Sequence, residues 1–173
     1  MLAVRRSLAG LLIVLGLGTI AYALLSSETE EEAIERKLAT VADAVGIRED
    51  ESLLFRRARL NSVFKATLGN DVSVLVPDWG LTRRGREEIL QLATRVGTRY
   101  PSGTVELNDL DVALGPGADR ASVTATATLT STRGSHAFEQ QSRGVQFELS
   151  LKGGDWYVDT ITVASAVRQD PMR

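Results

Sequence analysis

Thr104-Val105-Glu106-Leu107-Asn108-Asp109-Leu110-Asp111-Val112-Ala113-Leu114 is the stretch that decides the fold. Its apolar residues alternate with polar ones, the period of a strand with one buried face. The alternation also slips. Val105 and Leu107 share one parity, whereas Leu110, Val112 and Leu114 share the other. One extra residue near Asn108-Asp109 restores a single apolar face, which is what a β-bulge does. Three further alternating runs follow, over 121–132, 137–152 and 156–167, separated by glycine-containing turns. A second slip separates Phe138 from Val145, Phe147, Leu149 and Leu151, with Gly144 at the expected kink. A third separates Trp156 and Val158 from Ile161 and Val163. Bulges in three strands predict a strongly curved sheet.

Upstream the texture is helical. Ile34, Leu38, Val41 and Val45 recur at intervals of three and four, one stripe of a helix over 30–45 that Gly46 ends. A second helix is expected from Asp50, read as its cap, with Leu53, Leu54, Leu60, Val63 and Phe64 on the buried side. Gly69-Asn70-Asp71 is read as the turn that ends it, and 72–76 as a short strand stopped by Pro77. A third helix over 83–96, capped by Thr82, turns Ile89, Leu92, Ala93 and Val96 inward and leaves Arg83, Arg84 and Arg86 solvated. Helices followed by long strands predict an α+β domain: three helices packed on a strongly bent antiparallel sheet.

The start of the chain is of another kind. Arg5-Arg6 precede an uncharged apolar run over 8–25, and Glu28 and Glu30-Glu31-Glu32 follow it. Cations before and acids after such a run predict a membrane helix with a cytoplasmic N-terminus. Eighteen residues at about 1.5 Å each give roughly 27 Å, just under a hydrocarbon core of about 30 Å. Cleavage after Ala21-Tyr22-Ala23 is the rival reading, since those residues fit the small-x-small pattern of a signal peptide. Retention is favoured because Leu24-Leu25 carry the apolar run past that point and a helical pattern resumes at once. Gly10, Gly16 and Gly18 have spacings of six and two, which do not match the membrane-helix dimerisation motif. The expected organisation is an anchor over 1–27, a domain over 28–167 and a tail over 168–173, placing the chain in the inner membrane with its domain in the periplasm.

Composition narrows the partners. With Arg5 and Arg6 set aside, eighteen of the twenty Lys and Arg residues remain against twenty-two Asp and Glu. No long basic stripe occurs, so nucleic acid is not the expected partner. The chain has no cysteine, which rules out disulfides, thiolate metal sites, a cysteine nucleophile and lipoprotein attachment. Gly115-Pro116-Gly117 is a turn, and Arg83-Arg84-Gly85-Arg86 lacks the strand-loop-helix setting of a nucleotide site, so no cofactor is expected.

The order of elements, with the short strand 72–76, the helix 83–96 and the closing Gly153-Gly154-Asp155-Trp156-Tyr157-Val158, resembles the nuclear transport factor 2-like superfamily. The resemblance covers roughly residues 30–165 and lies in pattern rather than in a diagnostic motif. It implies a cone-shaped fold with a cavity. That superfamily includes isomerases, dehydratases and polyketide cyclases that use an Asp or His, alongside non-catalytic domains, among them membrane-anchored periplasmic ones.

Chemistry is sparse. His136, the only histidine, sits in a Gly134-Ser135 turn and is read as an exposed, idle residue, so a base in the cavity would have to be a carboxylate. Asp159, at the third parity slip, is the weak catalytic candidate. Were it to face a cavity beside Trp156, burial would raise its pKa. Trp79, Trp156 and Tyr157 are the cavity candidates, with Asp78 at the mouth and Tyr100 a further available phenol. The run 121–132 puts Val123, Ala125, Ala127 and Leu129 on one face and Ser122, Thr124, Thr126, Thr128 and Thr130 on the other. The uncharged threonine row, with Thr124, Thr126 and Thr128 at its centre, is either an interface or a solvated strand face. The resulting expectation is a membrane-anchored, non-catalytic scaffold or accessory subunit that contacts a protein partner or itself. The alternative is a small-ligand-binding or isomerase-like domain using the cone cavity with Asp159.

Overall fold

The computed structural model describes residues 28–98, 100–133 and 137–164. The chain divides into two units, Met1–Ala33 and Ile34–Arg173, and only residues 28–33 of the first are described. The apolar run 8–25, the site at Ala23, His136 and the tail 168–173 lie outside the described residues. Among the described residues no helix is long and apolar enough to cross a membrane.

The described residues form three α-helices: α1 (Glu30–Val45), α2 (Leu53–Thr67) and α3 (Arg86–Val96). α1 has the expected limits. Thr29 and Glu32 start it by exchanging bonds, Glu32 N–H to Thr29 Oγ1 at 3.2 Å and Thr29 N–H to Glu32 Oε2 at 3.1 Å. This reciprocal box meets two amides that would otherwise lack partners. The cap of α2 is Ser52, not Asp50: its hydroxyl accepts from Phe55 N–H, while Asp50 takes a left-handed φ of 58°. Leu53 and Leu54, expected inside, are 52% and 77% exposed. Leu60 and Phe64 are buried, and one turn earlier the same stripe is completed by Arg56.

The sheet has six strands, more than the short strand and four long runs predict. They are β1 (Leu68–Val76), β2 (Leu81–Arg84), β3 (Ser102–Leu114), β4 (Arg120–Arg133), β5 (Ala137–Lys152) and β6 (Asp155–Val163). Their order is β2-β1-β6-β5-β4-β3. The expectation of a purely antiparallel sheet is corrected, because β1 runs parallel to β6 and all other pairs are antiparallel. Gly69-Asn70-Asp71 belong to β1 rather than to a turn, since α2 passes directly into the strand. Residues 81–84 pair with Ser73–Val76 as an edge strand, although Arg83 and Arg84 were expected to begin the third helix. Gly85, at φ 92°, then turns the chain into α3 in place of the expected Thr82 cap. A one-turn 3₁₀ helix, Pro77–Trp79, joins β1 to β2.

Two of the three expected bulges are present. The β3–β4 register shifts between Asn108 and Asp111, where Asp109 adopts φ 54°. The β5–β6 register passes from Glu148↔Thr160 to Leu149↔Val158, leaving Asp159 as the extra residue. The third is absent: β4 and β5 pair without a break from Arg120↔Ser150 to Arg133↔Ala137, with Gly144 opposite Thr126. The uniform parity of β4 requires no insertion there, and β5 follows it.

One apolar cluster fills the space between helices and sheet. It includes Ile34, Leu38, Leu60, Phe64, Leu68, Val72, Val123, Phe147, Trp156 and Val158. At about 1.5–3 kcal/mol for each large side chain removed from water, this burial dominates the stabilisation. On β4, Ala121, Val123 and Ala125 are buried as expected, but Leu129 is 38% exposed. The apolar face of that strand runs past the part the core covers.

Candidate functional site

Asp159 stands where two irregularities meet. Between Leu68↔Val158 and Ser73↔Thr160 the register of β1 advances five residues while that of β6 advances two. Residues 69–72 therefore leave the regular ladder beside the Asp159 bulge. The opening is a cleft of about 600 Å³, lined among others by Lys65, Asn70, Asp71, Arg86, Lys152 and Tyr157. Gly69 is needed for the approach, since a Cβ there would stand 2.8 Å from Asp159 Oδ1.

The bulge releases Asp159 from the alternation that buries Trp156 and Val158. Its carboxylate does not enter the apolar interior. Ser150 donates its hydroxyl to Oδ2, and Lys152 Nζ donates to Oδ1 at 2.9 Å in a pair whose side chains are 58% and 41% exposed. Two further cations, Arg86 in the cleft lining and Lys37 outside it, reach carbonyls at the end of α2. Arg86 Nη1 donates to Leu68 O at 3.3 Å and Lys65 O at 3.4 Å. Lys37 Nζ donates to Trp156 O at 2.6 Å and Ala66 O at 3.4 Å, and stands 5.2 Å from the Tyr157 ring. Cations at a helix C-terminus meet its unpaired carbonyls and the negative end of its dipole. The cleft thus holds one carboxylate in a hydrogen-bonded ion pair, without a histidine or a second carboxylate bonded to it among the described residues.

The remaining sequence candidates are dispersed. Tyr157 lines the cleft, Trp156 is buried in the core and Trp79 is 68% exposed on the 3₁₀ turn. Arg143 lies over the Trp79 ring at 5.2 Å and pairs with Asp78 at 3.4 Å, so Asp78 and Trp79 form a surface cluster with Arg143. Tyr100 lines a separate hollow beside Arg56. Thr124 is exposed, Thr126 is half-buried, and Thr128 is 9% exposed with its hydroxyl bonded to Ser142. Among the described residues no group of three or more His, Cys, Asp or Glu is placed to hold a metal ion.

Sequence reasoning missed a largely buried charged cluster. Arg56 is 2% exposed and donates to Gly46 O at 2.7 Å, Val45 O at 3.1 Å and Ala93 O at 3.2 Å. Arg59 donates to Ala44 O at 2.6 Å and makes two bonds to Glu51, at 2.8 and 2.6 Å. Two arginines thereby tie the C-terminal ends of α1 and α3 to the first turns of α2. The hydrogen bond from Arg59 holds the Glu51 carboxyl below its usual range, against an opposing push from burial. Burial, reinforced by Arg59, lowers Arg56 from the usual guanidinium value, and Glu51 raises it back in part. A signal did exist: Arg56 stands four residues before Leu60 and eight before Phe64, on the stripe that faces the core.

No protein-family model and no curated protein matches the sequence. Solved structures do match. An NTF2-like protein from Cytophaga hutchinsonii superposes with a TM-score of 0.57 at 13% identity, over 81% of this chain and all of that one. The fold is that of the NTF2-like proteins. A candidate dehydratase of the NTF2-like family from Streptomyces avermitilis gives a TM-score of 0.61 at 16% identity, over 79% of this chain and 95% of that one. The association domain of C. elegans CaMKII gives 0.60 at 13% identity, again over 79% and 95%. At these identities the likeness is one of fold, and a shared fold carries no shared chemistry.

Proposed function

We propose that this chain is a single-pass, membrane-anchored, non-catalytic scaffold or accessory subunit of a membrane protein assembly, with its cone domain in the periplasm. The observation that carries the reading is the content of the interior. The buried set of the described residues is apolar except for Arg56, Thr67, Thr128 and Ser131, with no carboxylate, histidine or tyrosine. General acid–base work inside a cone needs such groups converging on a cavity. Among the described residues the one buried charged side chain, Arg56, donates to backbone carbonyls. The apolar run 8–25 supports anchoring, and the CaMKII association domain is a case of this fold named for association. A homo-oligomer is compatible with the reading.

The test is fractionation of cells expressing the full chain, followed by sizing of the detergent-solubilised protein. The expected outcome is a membrane-bound, full-length polypeptide migrating well above the mass of one chain in its micelle. Recovery of the intact chain from the soluble fraction, or a monodisperse monomer in mild detergent, overturns the proposal.

A second reading, small-ligand binding, rests on the cleft at Asp159. It predicts saturable binding that Asp159→Asn abolishes without altering the folded state.

A further inference from the structure

The first turn of α2 presents three large apolar side chains to solvent: Leu53 at 52%, Leu54 at 77% and Phe55 at 72% exposure. Scattered exposed apolar residues are ordinary, but three in succession form a patch that marks an interaction site. The turn is held rigidly. Ser52 caps it through Phe55 N–H, and the next residue, Arg56, is fixed by three carbonyls. The side chains are therefore projected from a fixed platform rather than from a loose loop.

The surroundings say what fits there. Glu49 and Asp50 directly precede the turn, are exposed, and make no ion pair among the described residues. The neighbouring cations are already engaged: Arg48 with Asp43, Arg57 with Glu87 and Arg59 with Glu51. The apolar tip thus has an uncompensated acidic rim. An isologous contact with a second copy would bring these acids against each other. A bilayer surface is a poor match too, since anionic headgroups repel the rim. Just beyond the tip, Arg56 and Arg59 tie α2 to the C-terminal end of α1 through Val45 O and Ala44 O. The chain enters the domain at Ile34, about 17 Å away along the same helix.

Resting on the accessory-subunit reading, we infer that Leu53, Leu54 and Phe55 dock into an apolar groove on a different protein of the assembly, and that Lys or Arg side chains rim that groove to meet Glu49 and Asp50. Apolar anchors supply the burial and the charged rim supplies register and association rate.

The experiment places a photo-crosslinking residue at Leu54, and as a control at the exposed Glu106 on β3, in the full-length chain in intact membranes. The expected result is one adduct from position 54 to a different polypeptide, its crosslinked peptide apolar and flanked by Lys or Arg, with none from position 106. Paired Glu49→Lys and Asp50→Asn substitutions, the latter suited to the left-handed backbone at that position, lower the yield by about five-fold or more, with an unchanged thermal melt. Adducts to lipid or to a second copy, no adduct, or a yield indifferent to these charge changes overturn the inference. Should the protein still migrate as a membrane assembly while position 54 yields nothing, the accessory-subunit reading stands and the docking tip falls.

Discussion

Gly97 lies against the guanidinium of Arg56: a Cβ built on it would stand 2.5 Å from Nε and 2.8 Å from Cδ. The guanidinium cannot yield, because its two amino nitrogens are committed to Gly46, Val45 and Ala93 carbonyls. Gly97→Ala is expected to destabilise the domain by about 1–3 kcal/mol, an overpacking cost. Urea unfolding followed by circular dichroism measures it. A change below about 0.5 kcal/mol, the range of an ordinary surface substitution, would show that the contact is soft.

Arg56→Met keeps much of the stem and removes the donors. Carbonyls at the ends of α1 and α3 then lose their partners in a dry setting. The expected cost is on the order of 3 kcal/mol, larger than for the exposed Arg57→Met, whose partner Glu87 sits at the surface. Comparing the two unfolding midpoints checks the ranking.

Acid should weaken the same cluster. Glu51 has a folded-state pKa below its unfolded value, chiefly through the Arg59 hydrogen bond. Its contribution is therefore complete above the ordinary carboxylate range, near pH 4.3, and is lost as pH falls through the lower folded value. In that window the unfolded chain binds more protons, so stability rises with pH. Glu51→Gln is expected to flatten the pH dependence of the unfolding free energy below about pH 5. A profile as steep as that of the wild type refutes the assignment.

Asp159→Asn tests the cleft. Its partner Lys152 is solvent-exposed, so the lost ion pair should cost no more than about 1 kcal/mol. Gly69→Ala should cost more, because the added methyl meets Asp159 Oδ1 at 2.8 Å. Thermal melts of the two variants reveal the order.

Thr126→Lys places a charge in the threonine row. If that face joins subunits, the assembly from detergent-solubilised membranes should shrink on sizing. An unchanged elution volume removes Thr124, Thr126 and Thr128 from consideration as an interface.

The helical stripe of α1, the long strands and two of the bulges were legible because each rests on local periodicity. Leu110 against Leu107, and Ile161 against Val158, announce an inserted residue without any tertiary information. What was not legible depends on partners distant in sequence. Residues 81–84 form a strand because Ser73–Val76 lie beside them, although their own composition suits a helix start. Leu53 and Leu54 sit outside because Arg56 claims the space where the ends of α1 and α3 converge. In the site, the parity slip located Asp159 at a bulge, but its direction was set by Gly69, ninety residues earlier in the chain.

The parallel pairing of β1 with β6 has a consequence for how the protein is made. Among the described strands β6 is the last to be synthesised, yet it lies between β1 and β5. A nascent chain that has reached Lys152 owns two partial sheets, β2-β1 and β5-β4-β3, each with an open inner edge and no way to join. Such edges attract foreign strands while the remaining residues emerge. Completion is then a keystone event. Loss of β6 would not trim the sheet but leave it in halves.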